Sequence, residues 1–199
     1  CYGGAAQHNV ANALAATALA YSLGFGVADI ARGLVGLSTE ANPGRANLYQ
    51  INGARVLLDF AHNPHGLAAL TDLAAGLQAE RRLLVIGQAG DRSDEDISDL
   101  ATATEGLKFD RVIIKHLDAK RRGRDEGEVA AVLRKAFLDM GYRTRQLSTQ
   151  VAEMDALRSA LRWAREGDLV VFLAHEERDA ICAELARRQQ RSQADRGER

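Results

Sequence analysis

The chain has 199 residues, 46% of them hydrophobic, and a formal net charge of −1, which suffices for one good core and leaves no global field to draw in nucleic acid or an anionic membrane surface. No apolar run reaches the length a bilayer needs, and Cys1 and Cys182, at opposite ends, offer neither metal-ligand spacing nor a disulfide framework. These features predict a soluble cytoplasmic protein without nucleic-acid or membrane partners, and the start at Cys1 reads as a piece of something longer.

In chain order, the alanine- and leucine-rich stretch His8 to Phe25 predicts a helix, and "VADIARGLVGL" after Gly26 predicts a second. Two helices without a sheet form one unit, residues 1–40. Pro43 and Gly44 then mark a turn, and strands begin to alternate with amphipathic helices. Strands are expected at Ala46 to Ile51, Arg55 to Asp59, Arg82 to Gly87, Arg111 to Lys115, Thr144 to Leu147 and Leu169 to Leu173. Helices are expected at Pro64 to Gln78, Asp94 to Glu105, Glu126 to Met140, Val151 to Glu166 and Glu176 to Gln189. This alternation predicts an α/β unit over residues 41–189, a Rossmann-like, mostly parallel sheet flanked by helices. Residues 190–199 read as a frayed polar tail.

An open parallel sheet binds ligands beyond the carboxyl ends of its strands. Asp59, the "GQAGDRSDED" turn from Gly87, the Lys115-His116 pair and Ala174-His175 all fall at such ends. Asn63 before Pro64 suits an N-cap, with helix N–H groups turned toward an anion. Simple capping explains that pair equally well, but not Asp59, whose carboxylate at the end of an apolar strand, if partly buried, must be paired or hydrogen-bonded, a role a ribose hydroxyl or a nearby arginine would serve. Asp59, His62 and His65 could also be taken as metal ligands of a hydrolase, although His65 sits in a first helical turn where exposure is the duller reading.

Other motifs carry less. "GFGVADIARG" lacks the third glycine of a dinucleotide fingerprint and follows no strand. The basic run "KRRGR", Lys120 to Arg124, is either a solvated turn or a reach toward phosphate or carboxylate groups at the rim. No serine or cysteine has a nucleophile setting, and the absence of any Gly-Lys dipeptide excludes a Walker-type phosphate loop from this chain.

Taken in order, "GGAAQHNVANALAATALAYSLGF", "NPGR", "VLLDFAHNPHGLAAL", "GDRSDEDI", and "FDRVIIK" with "RGRDEGEV" resemble the end of the central domain and the whole C-terminal domain of the Mur ligase family, and within it the cyanophycin synthetase branch. The resemblance implies an ATP-dependent amide ligase acting through an acyl phosphate, with ATP and Mg2+ as cofactors and the metal held mainly by residues outside this chain. It implies Arg45 and His62 near the transferred phosphoryl group. Asp59, Asn63, His8, Asn9 and Asn12 would meet the nucleotide, and Arg92, Lys115 and Arg124 the carboxylate of the incoming amino acid or peptide. A homo-oligomer is possible. The loop "HLDAKR" is more basic than expected for that branch, which leaves the amino acid joined open. A non-catalytic nucleotide-binding or regulatory module is the alternative from another class.

Overall fold

The computed structural model describes residues 7–36 and 42–197. Cys1 and part of the expected boundary near Glu40 lie outside them. Helices α1 (Gln7–Ser22) and α2 (Val27–Val35) come first, then β1 (Asn47–Ile51), β2 (Ala54–Asp59), α3 (Pro64–Ala75), β3 (Arg82–Ile86), α4 (Asp94–Thr102), β4 (Arg111–Lys115), α5 (Glu128–Asp139), β5 (Leu147–Gln150), α6 (Glu153–Trp163), β6 (Leu169–Leu173) and α7 (Arg178–Gly197).

The six strands form one sheet in the order β1-β2-β6-β3-β4-β5. Only β1 runs antiparallel, joined to β2 by the hairpin at Asn52-Gly53, both with positive φ as a tight two-residue turn requires. Side chains alternate across the strands. On β6, Leu169, Val171 and Leu173 enter a core with Leu67, Leu70 and Leu73 of α3, Ile97 of α4 and Phe137 of α5. Val170 and Phe172 enter a second core with Ala156 and Leu157 of α6 and Ile181 and Leu185 of α7. Two covered faces make a three-layer sandwich, and they explain why the parallel strands read as continuous Val, Leu and Ile runs.

Strand β6 returns to lie between β2 and β3, hydrogen-bonded to both. A right-handed crossover running back along the sheet must place its helix on the opposite face, which puts α6 across the sheet from α3, α4 and α5. The reversal opens a crevice at the carboxyl ends of β2, β6 and β3.

The structure departs from expectation at two elements. Residues Thr144–Gln146 form a 3-10 turn and β5 begins only at Leu147. The expected frayed tail after Gln189 is instead helical through Gly197. Its side chains dock on the sheet edge: Gln189 Oε1 accepts from Gln50 N–H at 2.6 Å and Ser192 Oγ from Asn52 N–H at 2.8 Å. The edge hairpin would otherwise present those donors to solvent.

Among the described residues, no helix is long and apolar enough to cross a membrane. On α1, α2 and the turn between them, Leu14, Tyr21, Phe25 and Val35 are 66%, 67%, 58% and 87% exposed, an apolar surface larger than scattered surface residues would give.

Candidate active site

The crevice is built around one carboxylate. Asp59, at the last position of β2, accepts the Ala46 N–H on Oδ2 and the Ala61 N–H on Oδ1, both at 2.7 Å. It therefore ties the segment after Gly44-Arg45 to the turn that starts α3. Arg45 itself is not the hydrogen-bond partner expected for it. Burial pushes the Asp59 carboxyl above the usual carboxylate range, with the two N–H groups and the nearby Arg45 charge pulling the other way.

Arg45 is exposed, and its guanidinium carbon stands 5.2 Å from the centroid of the Phe60 ring. Lys120 Nζ lies 5.7 Å from the same ring and donates to the His175 carbonyl at 2.6 Å. His62 and His175 flank Phe60 at ring distances of 5.6 and 5.3 Å. One aromatic ring thus gathers two cations and two imidazoles at the mouth of the crevice.

The turn from Phe60 to Asn63 is pinned from several elements. His175 Nε2 lies 2.9 Å from the Ala61 carbonyl, and Gln88 Nε2, following β3, donates to the His62 carbonyl at 3.1 Å. His62 Nδ1 lies 3.2 Å from the Phe60 carbonyl, leaving the exposed outer edge of the ring free to meet a ligand. Asn63 caps α3, its side-chain oxygen accepting from Gly66 N–H at 2.8 Å, with Pro64 in the first turn. Capping accounts for Asn63 without a ligand. The trio Asp59, His62 and His65 is not brought together as a metal-ligand cluster: both Asp59 oxygens accept backbone N–H groups, and no group of three or more potential ligands is arranged for a metal among the described residues.

Behind the turn lies a buried ion pair that the sequence did not announce. Lys115, at the end of β4, contacts Glu153 in the first turn of α6, and both side chains are fully buried. Glu153 also accepts the N–H groups of His175 at 2.8 Å, Glu176 at 3.0 Å and Glu177 at 2.6 Å. Burial would raise the Glu153 carboxyl, but the Lys115 ammonium and those N–H donors outweigh it and hold it below the usual range. Burial pushes Lys115 below the ordinary lysine range.

The expected carboxylate-binding cations are largely engaged within the chain. Lys115 does not reach solvent. Arg124 donates to Asp94 at 2.6 Å, Glu128 at 2.8 Å, the Gly90 carbonyl at 3.1 Å and the Arg92 carbonyl at 2.6 Å, stapling the loop after β3 to the loop after β4. Gly90 makes that junction possible, because a Cβ there would sit 1.9 Å from the Arg121 carbonyl oxygen. Arg92 and Arg121 remain exposed on the joined rim. On α1, Asn9 is half-buried and Asn12 exposed, while the His8 side chain lies outside the described residues. Gln88 and Glu153 were missed because an isolated polar residue beside apolar strands has no spacing signal; only their tertiary partners reveal them.

A family profile described as "Mur ligase, glutamate ligase domain" matches residues 44–175. The cyanophycin synthetase of Crocosphaera subtropica is 34% identical over 181 residues, covering 90% of this chain and 20% of that protein. The UDP-N-acetylmuramate–L-alanine ligase of Halorhodospira halophila is 30% identical over 187 residues, covering 90% and 37%. The chain thus spans about a fifth of the length of the cyanophycin synthetases it matches. In fold it is similar to MurF from Acinetobacter baumannii, with TM-score 0.65 and 21% identity over 90% of this chain and 38% of that one. It is also similar in fold to the folylpolyglutamate synthase of Mycobacterium tuberculosis solved with ADP and AMPPCP, with TM-score 0.56 and 20% identity over 74% and 32%. With the profile spanning the sheet from the Gly44 turn to His175, the chain belongs to the Mur ligase family through its glutamate ligase domain.

Proposed function

We propose that this chain is the C-terminal part of an ATP-dependent amide ligase that joins an acid to an amino acid or peptide through an acyl phosphate, in the manner of cyanophycin synthetase. The observation that carries the reading is the arrangement of Arg45 and Asp59: an exposed guanidinium stacked on Phe60, with the backbone beside it fastened to the crevice by a carboxylate.

These residues fit a nucleotide phosphate. Arg45 supplies a planar cation, the exposed edge of His62 a further polar group, and the N-terminus of α3 a favourable dipole. Asn9 and Asn12 would face the nucleotide from the side of α1. They do not fit magnesium, whose ligands and phosphate loop we assign to residues outside this chain, consistent with the lack of a Gly-Lys dipeptide.

ATP supplies the phosphoryl group that activates the acid. The chain's own part is to position and to exclude water: phosphoryl transfer asks for aligned cations rather than a protein nucleophile, and closure of this domain over the site would protect an acyl phosphate from hydrolysis. Arg92, on the rim stapled by Arg124, is the group we assign to the incoming substrate's carboxylate, with Lys115 and Arg124 supporting that rim. The amine then displaces phosphate and the amide forms.

Isotope transfer tests this reading. When the full-length protein is supplied with ATP and an acid carrying 18O in its carboxylate, one labelled oxygen should appear in the inorganic phosphate released. Unlabelled phosphate accompanied by amide formation would exclude the acyl phosphate. Absence of any ATP-dependent amide across an amino-acid and peptide panel would contradict the ligase assignment.

A further inference from the structure

The Lys115–Glu153 pair raises a question that substrate binding does not answer. Two charges withdrawn from water cost more than they return unless geometry demands them, and apolar residues of similar volume would stabilise the core as well. This pair has a third member. Lys115 Nζ lies 3.3 Å from His175 Nδ1, and His175 Nε2 lies 2.9 Å from the Ala61 carbonyl.

The hydrogen-bond roles are forced. An ammonium only donates, so Nδ1 must accept from Lys115; a carbonyl only accepts, so Nε2 must carry the proton it donates to Ala61. The ring is therefore neutral and a single tautomer. Burial, and next the Lys115 charge, hold its pKa down at about 3, so it keeps that state at ordinary pH. Glu153 fixes Lys115 and also receives the His175 N–H, gripping the ring's own backbone.

The chain of contacts ends at the crevice. The Ala61 carbonyl belongs to the peptide unit leading into His62, and its neighbours are held by Asp59 on one side and Gln88 on the other. Of these three units, only the central one is held by an imidazole. Resting on the ligase reading above, we propose that His175 is a positioning residue: locked as its Nε2–H tautomer by Lys115 and Glu153, it holds the Ala61 carbonyl and so fixes the angle at which the Phe60–Asn63 turn presents His62 to the nucleotide.

Three measurements decide it. In the 199-residue chain, 15N spectra of the His175 ring should show one protonated nitrogen, Nε2, unchanged between pH 8 and pH 5. A ring protonated at Nδ1, or one titrating in that interval, would overturn the proposal. In the same chain, His175→Phe should accelerate amide exchange at Ala61 and His62, whereas His175→Gln, which can still donate to Ala61, should restore protection. Equal exchange in both variants would overturn it as well. In the full-length enzyme, His175→Phe should lower kcat about tenfold or more with little change in the KM of the amine, and His175→Gln should recover most of that loss. Full kcat in His175→Phe would assign the ring a packing role alone. If the wild-type enzyme forms no amide, the ligase reading fails separately, while the spectra and exchange still decide whether His175 holds the turn.

Discussion

Asp59 Oδ2 accepts the N–H of Ala46 at 2.7 Å, so the carboxylate at the end of β2 grips the backbone one residue beyond Arg45 rather than the guanidinium itself. Its other oxygen takes the N–H of Ala61. A single side chain thereby sets the distance between the cation-bearing segment and the turn that carries His62, and any nucleotide contact is additional to that structural task.

Replacing Asp59 with asparagine tests the double attachment. An amide oxygen can accept one of the two N–H groups, but the amide nitrogen then faces the other donor. Asp59→Asn should lower stability by about 1–3 kcal/mol in chemical denaturation at pH 7.5. An unchanged midpoint would mean that burial already keeps the carboxyl protonated at that pH.

For the buried pair, removing one charge strands the other. Lys115→Met or Glu153→Gln alone should each cost on the order of 3–5 kcal/mol, whereas the double variant Lys115→Met/Glu153→Gln, which removes both charges and keeps an amide oxygen for the backbone N–H groups of residues 175–177, should regain part of it. Additive losses in the double-mutant cycle would show that the two groups do not depend on each other. The double variant should still perturb His175, since its Nδ1 loses its donor.

The pH dependence of stability follows from His175. Its pKa falls from 6.5 in the unfolded chain to about 3 in the folded one, so between those values the unfolded state holds a proton that the folded state refuses. Stability is therefore complete above about pH 6.5 and declines as pH is lowered toward 3, by at most on the order of 3–5 kcal/mol. Asp59, whose pKa is raised, acts in the opposite sense and offsets part of the loss as pH falls through its folded value. Denaturation curves between pH 7.5 and pH 4.5 should show the decline, and His175→Gln should flatten it; a pH-independent wild type would contradict the buried neutral ring.

Most of the sheet was legible because both faces are covered, which leaves long runs such as "LVVFL" and "RVIIK" between turn signals. The β5 boundary was not, since "TRQLSTQ" is polar on alternate positions and its pairing depends on β4. The position of Asp59 at a strand end and of His62 in the turn that follows was legible, whereas the roles proposed for them and for Arg45 rest on motif resemblance. The burial of Lys115 was not, because its partner Glu153 lies 38 residues away; a lysine at a strand end reads as a rim cation until the helix that covers it is placed. The helical tail was misread for a similar reason, Gln189 and Ser192 being polar because they serve the edge hairpin.

The exposed apolar side chains of α1, α2 and their connecting turn have a measurable consequence. With Leu14, Tyr21, Phe25 and Val35 each more than half exposed, the 199-residue chain should self-associate at micromolar concentrations in sedimentation experiments, and Leu14→Glu combined with Phe25→Glu should shift it toward monomer. A wild-type monomer at every concentration would mean that these side chains are not a cohesive surface.

If this domain closes Arg45 onto a transferring phosphoryl group, as proposed, steady-state kinetics of Arg45→Ala in the full-length protein will register the loss. Arg45 is exposed and its stacking on Phe60 is worth only about 0.5–1 kcal/mol, so folding should be nearly unaffected. The expected result is a fall in kcat of about 10² or more with an unchanged melting temperature. Full activity in Arg45→Ala at unchanged stability would contradict it, making the arginine a surface residue beside the crevice and placing the phosphoryl group elsewhere.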